Sequence, residues 1–184
     1  MPERRPAARK DAQRNRERII DAATRALASG QDLVKIEAIA REAGVGVGTL
    51  YRNFPSREAL IEEVYRSGLA RLCESAPDLA AERPPLEAMR EFLRRYQDFV
   101  ATKRGMADAL RAAIASGAIS SGHTREHLSG AVAVILDAGR ARGGLRTDVR
   151  PDDVVASMAG IMSAAAGPEQ AGRMLDLLAD GLRD

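Results

Sequence analysis

The stretch from residue 36 to residue 60, IEAIAREAGVGVGTLYRNFPSREAL, constrains the fold of this chain more than any other. A short helix is predicted at its start, and Gly44 ends that helix because glycine can take the positive φ that a tight turn needs. A second short helix is predicted over 46–53, with Leu50 and Phe54 four residues apart on its apolar side. This layout is a helix-turn-helix, whose second helix enters the major groove of DNA. DNA is therefore the leading candidate for a partner.

The rest of the chain also has helical periodicity. Apolar residues recur three and four positions apart, and glycines, prolines and a Ser/Gly-rich stretch separate the segments. The predicted helices are 11–29, 36–43, 46–53, one from the cap Ser56 to a proline-containing break at 77–85, 86–103, 106–115, 124–142, one from Pro151 and one after Gly167-Pro168. The run AVAVIL at 131–136 has the composition of a buried strand, but its surroundings favour helix. An all-α fold follows.

Composition narrows the class of protein. Hydrophobic residues make up 45% of the 184, yet no apolar run is long enough to span a membrane. The single cysteine, Cys73, cannot form an internal disulfide, which suits a reducing cytoplasm. The basic N-terminus is not followed by an apolar stretch, so no secretory signal is predicted. We expect a soluble, cytoplasmic, nucleoid-associated protein without a membrane partner.

Positive charge is concentrated at the N-terminus. The net charge of the chain is only +2, but residues 1–18 hold seven basic and three acidic side chains. A cluster of basic residues beside a candidate helix-turn-helix is typical of a segment that binds DNA phosphates. A solvated tail that binds nothing can have the same composition. We divide the chain into a basic flexible arm at 1–13, a helix-turn-helix domain at 14–60 and a helical C-terminal domain at 61–184.

Several short motifs carry a family resemblance. They are Ile19/Ile20-Asp21-Ala22-Ala23, Ile39-Ala40, Ala43-Gly44-Val45, Gly48-Thr49-Leu50-Tyr51, Phe54 and Ser56-Arg57-Glu58-Ala59-Leu60. Together they make residues 14–65 resemble the DNA-binding domain of TetR-family transcriptional regulators. Lys103-Arg104-Gly105-Met106, the segment 145–149 and the segment 180–183 resemble a C-terminal type common in actinobacterial members. The chain departs from the family pattern at Leu27, where an aromatic residue is usual, and at Val34 and Lys35, where a threonine is often found.

The resemblance implies a fold and a mechanism. An N-terminal three-helix domain with the helix-turn-helix would precede a C-terminal helical bundle for ligand binding and dimerisation. Each subunit of a homodimer would place its recognition helix in one half of a palindromic operator on double-stranded DNA. A small hydrophobic or amphipathic effector would release the protein, most members being repressors. No enzymatic activity, cofactor or metal is implied.

Carried over residue by residue, the resemblance assigns the DNA contacts to the second helix and its flanks. The predicted DNA-binding residues are Lys35, Gly46, Val47, Gly48, Thr49, Tyr51, Arg52, Asn53 and Arg57. The two glycines leave backbone N–H groups accessible to phosphate, and the hydroxyls of Thr49 and Tyr51 suit phosphate oxygens. Arg52 or Asn53 is the best candidate for a base edge, with help from DNA shape and from an arm around Arg14 and Arg16.

Two further sets of residues are predicted for the C-terminal domain. An apolar cluster could line a ligand cavity between helices, or simply form core; it comprises Met89, Phe92, Leu93, Tyr96, Phe99 and Met106. The apolar stripes of the last two helices are candidates for the dimer interface, with intramolecular core as the alternative; they comprise Val155, Met158, Ala159, Met162, Leu175, Leu178 and Leu182.

Two alternative functions remain open. One is a DNA-binding regulator whose cavity is filled by side chains and takes no ligand. The other, a minor one, is a zinc-dependent hydrolase, because His123-Thr124-Arg125-Glu126-His127 fits the H-x-x-E-H string of one zinc peptidase class. Such a site needs a further carboxylate downstream, and the only later glutamate, Glu169, lies beside a proline break.

Overall fold

A computed structural model of the protein describes residues 5–28, 35–104, 107–115, 117 and 119–184. These residues form nine α-helices and no strand, so the predicted all-α fold is confirmed. The helices are α1 (Arg5–Ala28), α2 (Ile36–Glu42), α3 (Val47–Asn53), α4 (Arg57–Glu82), α5 (Pro85–Arg104), α6 (Ala107–Ala115), α7 (Ser121–Arg142), α8 (Pro151–Ala164) and α9 (Pro168–Gly181). The run at 131–136 lies within α7, as the helical alternative predicted.

The chain divides into two compact units. The first comprises residues 1–67 and 101–119, and the second comprises 68–100 and 120–184. The division falls inside α4, seven residues after the domain boundary we predicted at residue 60.

In the first unit, α1, α2 and α3 pack around a small apolar core. Its buried side chains are Ile19, Ile20, Ala22, Ala23, Leu27, Ile39, Ala40, Ala43, Leu50 and Phe54. Ala40 is small at the point where α2 meets the turn, and its carbonyl accepts a hydrogen bond from the Val45 N–H at 2.9 Å. Gly44 between them has φ +64, the left-handed conformation that favours glycine.

In the second unit, α7, α8 and α9 follow one another and α9 runs beside α5. The Gln97 side chain donates to the Pro168 carbonyl at 2.7 Å, and Arg90 pairs with Asp180 near the opposite end of α9. These two contacts make α5 and α9 antiparallel neighbours. At the end of α7, Arg142 donates to the carbonyls of Ala80 and Arg83 at 2.6 and 2.9 Å, which satisfies carbonyls at the end of α4.

Three helix boundaries differ from the prediction by more than one residue. First, α1 begins at Arg5 rather than at 11, so the described part of the predicted flexible arm, 5–13, is helical. The early start has a local cause. Proline is favourable in the first turn of a helix, and the residues that follow it include alanine, arginine, lysine and glutamine, which favour helix.

Second, the predicted break at 77 is wrong, because α4 continues through Pro77 to Glu82. An internal proline costs about 3 kcal/mol, but Ala76, Leu79 and Ala80 are buried around it and their packing offsets that cost. Third, α7 begins at Ser121, three residues early, because the Ser120 hydroxyl accepts a hydrogen bond from the His123 N–H at 3.3 Å.

Candidate nucleic-acid interface

One buried residue anchors α3 to the first unit. Leu50 is fully buried, and Phe54 follows the helix with its ring almost as deeply buried. Gly46 precedes the helix in an extended conformation, and its carbonyl accepts hydrogen bonds from the N–H groups of Thr49 and Leu50 at 2.9 and 3.1 Å. Because one face of the seven-residue helix is buried in this way, its other residues lie at the surface of the first unit.

The surface of α3 carries most of the residues predicted to contact DNA. Val47 is 37% exposed and Tyr51 is 47% exposed, which are large fractions for apolar and aromatic side chains. Also exposed are Gly46, Gly48 and Arg52, and Lys35 is exposed just before α2. The other three predicted contact residues, Thr49, Asn53 and Arg57, are half-buried.

The two candidates for a base edge differ in their hydrogen bonds. Arg52 folds along its own helix, where Nε donates to the Gly48 carbonyl at 3.2 Å and Nη2 donates to the Thr49 hydroxyl at 3.0 Å. Asn53 donates its side-chain amide to the Thr49 carbonyl at 2.8 Å. Because Arg52 is exposed and Asn53 is half-buried, Arg52 is the freer of the two to reach a base.

Arg16, which the sequence predicts to reach DNA together with Arg14, has two partners within the first unit. Its guanidinium lies 4.6 Å from the centroid of the Phe54 ring, and its Nη2 pairs with Glu63 at 2.9 Å. Arg16 therefore joins α1 to α4 and to the end of α3. The sequence carries no signal for this pair because 47 positions separate its members, whereas Arg14 and Arg18 are exposed on the same helix.

The start of α4 has the predicted cap. The Ser56 hydroxyl accepts a hydrogen bond from the Ala59 N–H at 3.1 Å. Hydrogen bonds from its own backbone N–H and from Ser56 lower the pKa of Glu58, which keeps this acid ionised at the positive end of the helix dipole. Arg57 is thereby held in the first turn, close in sequence to α3.

The residues predicted to line a ligand cavity lie in the packed core of the second unit. Each of the five described members is at most 9% exposed: Met89, Phe92, Leu93, Tyr96 and Phe99. The sixth, Met106, lies outside the described residues. Leu93 also lines a groove of about 380 Å³ between α5 and α9, whose rim includes Arg90, Arg94 and Asp176.

Most of the residues predicted for the dimer interface are also buried within the subunit. Five of the seven have almost no accessible surface: Val155, Met158, Met162, Leu175 and Leu182. Of the others, Ala159 is exposed and Leu178 is half-buried. The exposed residues of these two helices include Ala156, Ala159 and Gly160 on α8 and Leu177 on α9, which is 71% exposed.

The histidine string forms the start of α7. The rings of His123 and His127 have centroids 4.0 Å apart, and both side chains are exposed. The described residues contain no group of three or more histidines, cysteines, aspartates or glutamates that could hold a metal ion. The hydrolase alternative thus rests on two imidazoles alone. Burial raises the pKa of the Cys73 thiol to about 11, which leaves little reactive thiolate at neutral pH.

The comparisons with known proteins cover both units. Residues 19–64 match the family described as "Bacterial regulatory proteins, tetR family". Residues 84–184, more than half of the chain, match the family described as "Transcriptional regulator SbtR-like, C-terminal domain".

This chain belongs to the TetR family.

Two solved structures of TetR regulators resemble it over nearly their whole length. The TetR transcriptional regulator SCO0520 from Streptomyces coelicolor is 50% identical, with a TM-score of 0.80, and the match covers 91% of this chain and 98% of that one. A TetR transcription regulatory protein from Mycobacterium vanbaalenii is 30% identical, with a TM-score of 0.75, over 96% and 99% of the two chains. Fold and family are therefore those of a transcriptional regulator with an N-terminal helix-turn-helix.

A curated relative matches over a shorter stretch. The HTH-type transcriptional repressor KstR of Rhodococcus jostii is 45% identical over 83 residues, which are 42% of this chain. The chain spans half or less of the curated relatives it matches, 37% and 50% of their lengths. Among the described helices of this TetR-family chain, none has the length and apolar character needed to cross a membrane.

Proposed function

We propose that the chain binds a palindromic operator as a homodimer through α3 and represses transcription until a small molecule releases it. One observation carries the DNA-binding part. Leu50 fixes α3 to the core, while its outer face presents Val47, Tyr51 and Arg52 together with the bare backbone of Gly48. A helix held by one residue and open on its remaining surface suits insertion into a major groove. Such a protein acts in the cytoplasm, on the DNA of the nucleoid.

Each exposed group of α3 has a role in this proposal. The Val47 side chain contacts a thymine methyl group, and the Tyr51 hydroxyl contacts a phosphate. Arg52 leaves its hydrogen bonds to Gly48 and Thr49 and donates to a guanine edge, which is the commonest specific contact of an arginine. Asn53 keeps its bond to the Thr49 carbonyl and supports the end of the helix. Lys35, Thr49, Arg57 and the N–H groups after Gly46 bind phosphates.

The dimer forms through the small-residue face of α8 and the adjoining surface of α9. Four exposed positions on α8 recur at intervals of three and four, which places them on one helical face: Ala156, Ala159, Gly160 and Ser163. Small side chains let two helices approach closely, and Leu177 and Leu178 supply apolar area beside them. The buried stripe of the two helices supports this face from within the subunit.

The effector binds in the second unit, where the apolar core reaches the α5–α9 groove at Leu93. A volume of about 380 Å³ is within the range of small-molecule sites. A hydrophobic or amphipathic compound enters there and separates Met89 and Phe92, which are fully buried without it. The same complete burial favours the second candidate function, a regulator that takes no ligand because side chains already fill the space.

Operator selection from random double-stranded DNA tests the DNA-binding part. The expected product is one palindrome with two half-sites about one helical turn apart. The variant Arg52→Ala should relax the preference at one base pair of each half-site, by about 1–3 kcal/mol. If the base preference stays unchanged, Arg52 does not read a base. If the selected sequences contain no inverted repeat, the protein does not bind its operator as a symmetric dimer.

A glycine substitution separates DNA contact from folding. No atom lies within 4 Å of the position that a Cβ at Gly48 would take, so Gly48→Ala fits the free protein. Alanine within a helix is more favourable than glycine by about 1 kcal/mol, so the melting temperature should rise. The operator affinity should fall because the new methyl group meets the phosphate backbone. If the melting temperature and the operator affinity both rose, α3 would not lie against the DNA backbone at Gly48.

A thermal-shift screen with hydrophobic and amphipathic metabolites distinguishes the two candidate functions. An effector raises the melting temperature and lowers operator affinity, since it must favour the state that does not bind DNA. Leu93→Trp, which places bulk at the bottom of the groove, should abolish the shift. Val134→Ala, a substitution of an exposed apolar residue on α7, is the matched control and should keep it. A broad screen without any shift favours the regulator that takes no ligand.

A further inference from the structure

The two histidines of the chain form a pair that the proposed regulatory function does not use. His123 and His127 are the only histidines among the 184 residues, and both are exposed in the first two turns of α7. Their ring centroids are 4.0 Å apart, with an angle of 55° between the ring planes. The hydrogen bond from the His123 N–H to the Ser120 hydroxyl fixes the first turn, so the spacing of the two side chains is set by regular helix.

This spacing suits chelation. Histidines at positions i and i+4 lie on one helical face and can hold a zinc ion between them. A metal ion 2.0–2.1 Å from one nitrogen of each ring places these nitrogens about 3 Å apart. Rings with centroids 4.0 Å apart reach that separation by side-chain rotation. Imidazole is a ligand for zinc, nickel and copper rather than for magnesium or calcium.

We propose that His123 and His127 bind one borderline divalent transition-metal ion through one nitrogen of each imidazole. The described residues offer no cluster of three or more metal-ligating side chains, so water fills the remaining positions. The site thus differs from a closed structural zinc site and from a catalytic one, each of which has at least three protein ligands. It is independent of operator binding and of the α5–α9 groove.

The chelate stabilises the beginning of α7. A metal ion that joins positions 123 and 127 closes one helical turn and binds the folded chain in preference to the unfolded one. The melting temperature should therefore rise with the concentration of the ion until the site is saturated.

Isothermal titration of the full-length chain with zinc chloride and nickel chloride tests the site, with magnesium chloride as the control cation. The expected result is one zinc or nickel ion per chain and no magnesium. His123→Ala and His127→Ala should each abolish binding. Both histidines are exposed, so the two variants should keep the melting temperature of the metal-free protein. Binding that survives either substitution, or absence of binding by the native chain, overturns the proposal.

A variant with shifted spacing tests the geometry. Combining His127→Ala with Arg125→His keeps two imidazoles on α7 but places them two positions apart, where side chains do not face each other. This double variant should lose the ion, and Arg125→Ala alone should keep it. Retention of zinc by the double variant would show that two nearby imidazoles suffice without the i, i+4 pair, and would refute the chelate.

Discussion

Two surface helices of this TetR-family chain, α3 and α8, use their apolar residues differently. Leu50 is the one buried residue of α3, and the outer face of that helix is chemically varied, with glycine, valine, tyrosine and arginine. Four large apolar residues of α8 are buried, and its exposed positions from 156 onward are all alanine, glycine or serine. The surface proposed to bind DNA is therefore marked by its own functional groups, whereas the surface proposed to pack on a second helix is marked by small side chains.

The largest effect is expected from the anchor of α3. Leu50→Ala removes a fully buried side chain and should lower the free energy of unfolding by about 2–5 kcal/mol. Urea denaturation followed by circular dichroism measures this change. Operator binding should be lost as well, because α3 is then no longer held against α1 and α2.

The matched control on the same helix is Val47→Ala. Val47 is 37% exposed, so its truncation should change the free energy of unfolding by less than about 0.5 kcal/mol while it weakens operator binding. If the two variants destabilised the protein equally, α3 would not have the inner and outer faces on which the comparison rests.

The next effect is expected on the small-residue face of α8. Gly160→Arg places a long charged side chain where no atom now lies within 4 Å of a Cβ position. The monomer should fold normally, but the dimer should weaken by about 2 kcal/mol or more, roughly thirtyfold in dissociation constant. Analytical ultracentrifugation over a concentration series measures it.

The control for this prediction is Val134→Arg. Val134 is an exposed apolar residue on α7, 40% accessible, and is not part of the proposed interface. This variant should keep the native dissociation constant. A Gly160→Arg protein that dimerises like the native chain would move the interface away from this face of α8.

The same contrast explains which features could be predicted from the sequence. The turn at Gly44 and the apolar position Leu50 depend on neighbours within ten residues, so local patterns were enough for α2 and α3. For the inward face of α8 the sequence leaves both dimer interface and subunit core open, because Met158 and Met162 are equally apolar in either case. Periodicity identifies an apolar face and does not identify what packs on it.

Long-range contacts account for most of the remaining differences. The sequence predicts that an arm around Arg14 and Arg16 reaches DNA, but it gives no sign that Arg16 lies over Phe54 and pairs with Glu63, residues that only folding brings near. The continuation of α4 through Pro77 likewise depends on packing around Ala76 and Leu79, which outweighs a local signal for a break. A local pattern reports what a residue prefers, and tertiary packing decides whether the preference is followed.

A smaller effect is expected at the turn between α2 and α3. Gly44 has φ +64, and a Cβ added there would meet the Arg18 guanidinium, so Gly44→Ala should cost about 1–2 kcal/mol of stability. Gly46→Ala is the control, because Gly46 has φ −69 and nothing lies within 4 Å of its Cβ position. Thermal denaturation compares the two. Equal melting temperatures would mean that the turn accepts a side chain, and the positive φ would not define the motif.

The smallest effect concerns charged α5, a third kind of surface beside those of α3 and α8. Hydrogen bonds from Arg94 and then Arg95 outweigh partial burial and lower the pKa of Glu91 from 4.5 to about 2. Because the pKa falls on folding, the ionised carboxylate stabilises the fold above pH 4.5 and loses this contribution as the pH falls towards 2.

Glu91→Gln should therefore reduce stability at pH 7, by less than about 1 kcal/mol because Arg94 is exposed and Arg95 is only half-buried. The difference from the native chain should shrink between pH 4.5 and pH 2. Urea denaturation at pH 7, 4 and 3 measures it, with Glu87→Gln on the same helix as the control, since the structure assigns Glu87 no ion pair among the described residues. A difference that stayed constant across this range would mean that Glu91 acts through packing. The charged face of α5 would then resemble the proposed interface of α8, where shape rather than charge would determine the contact.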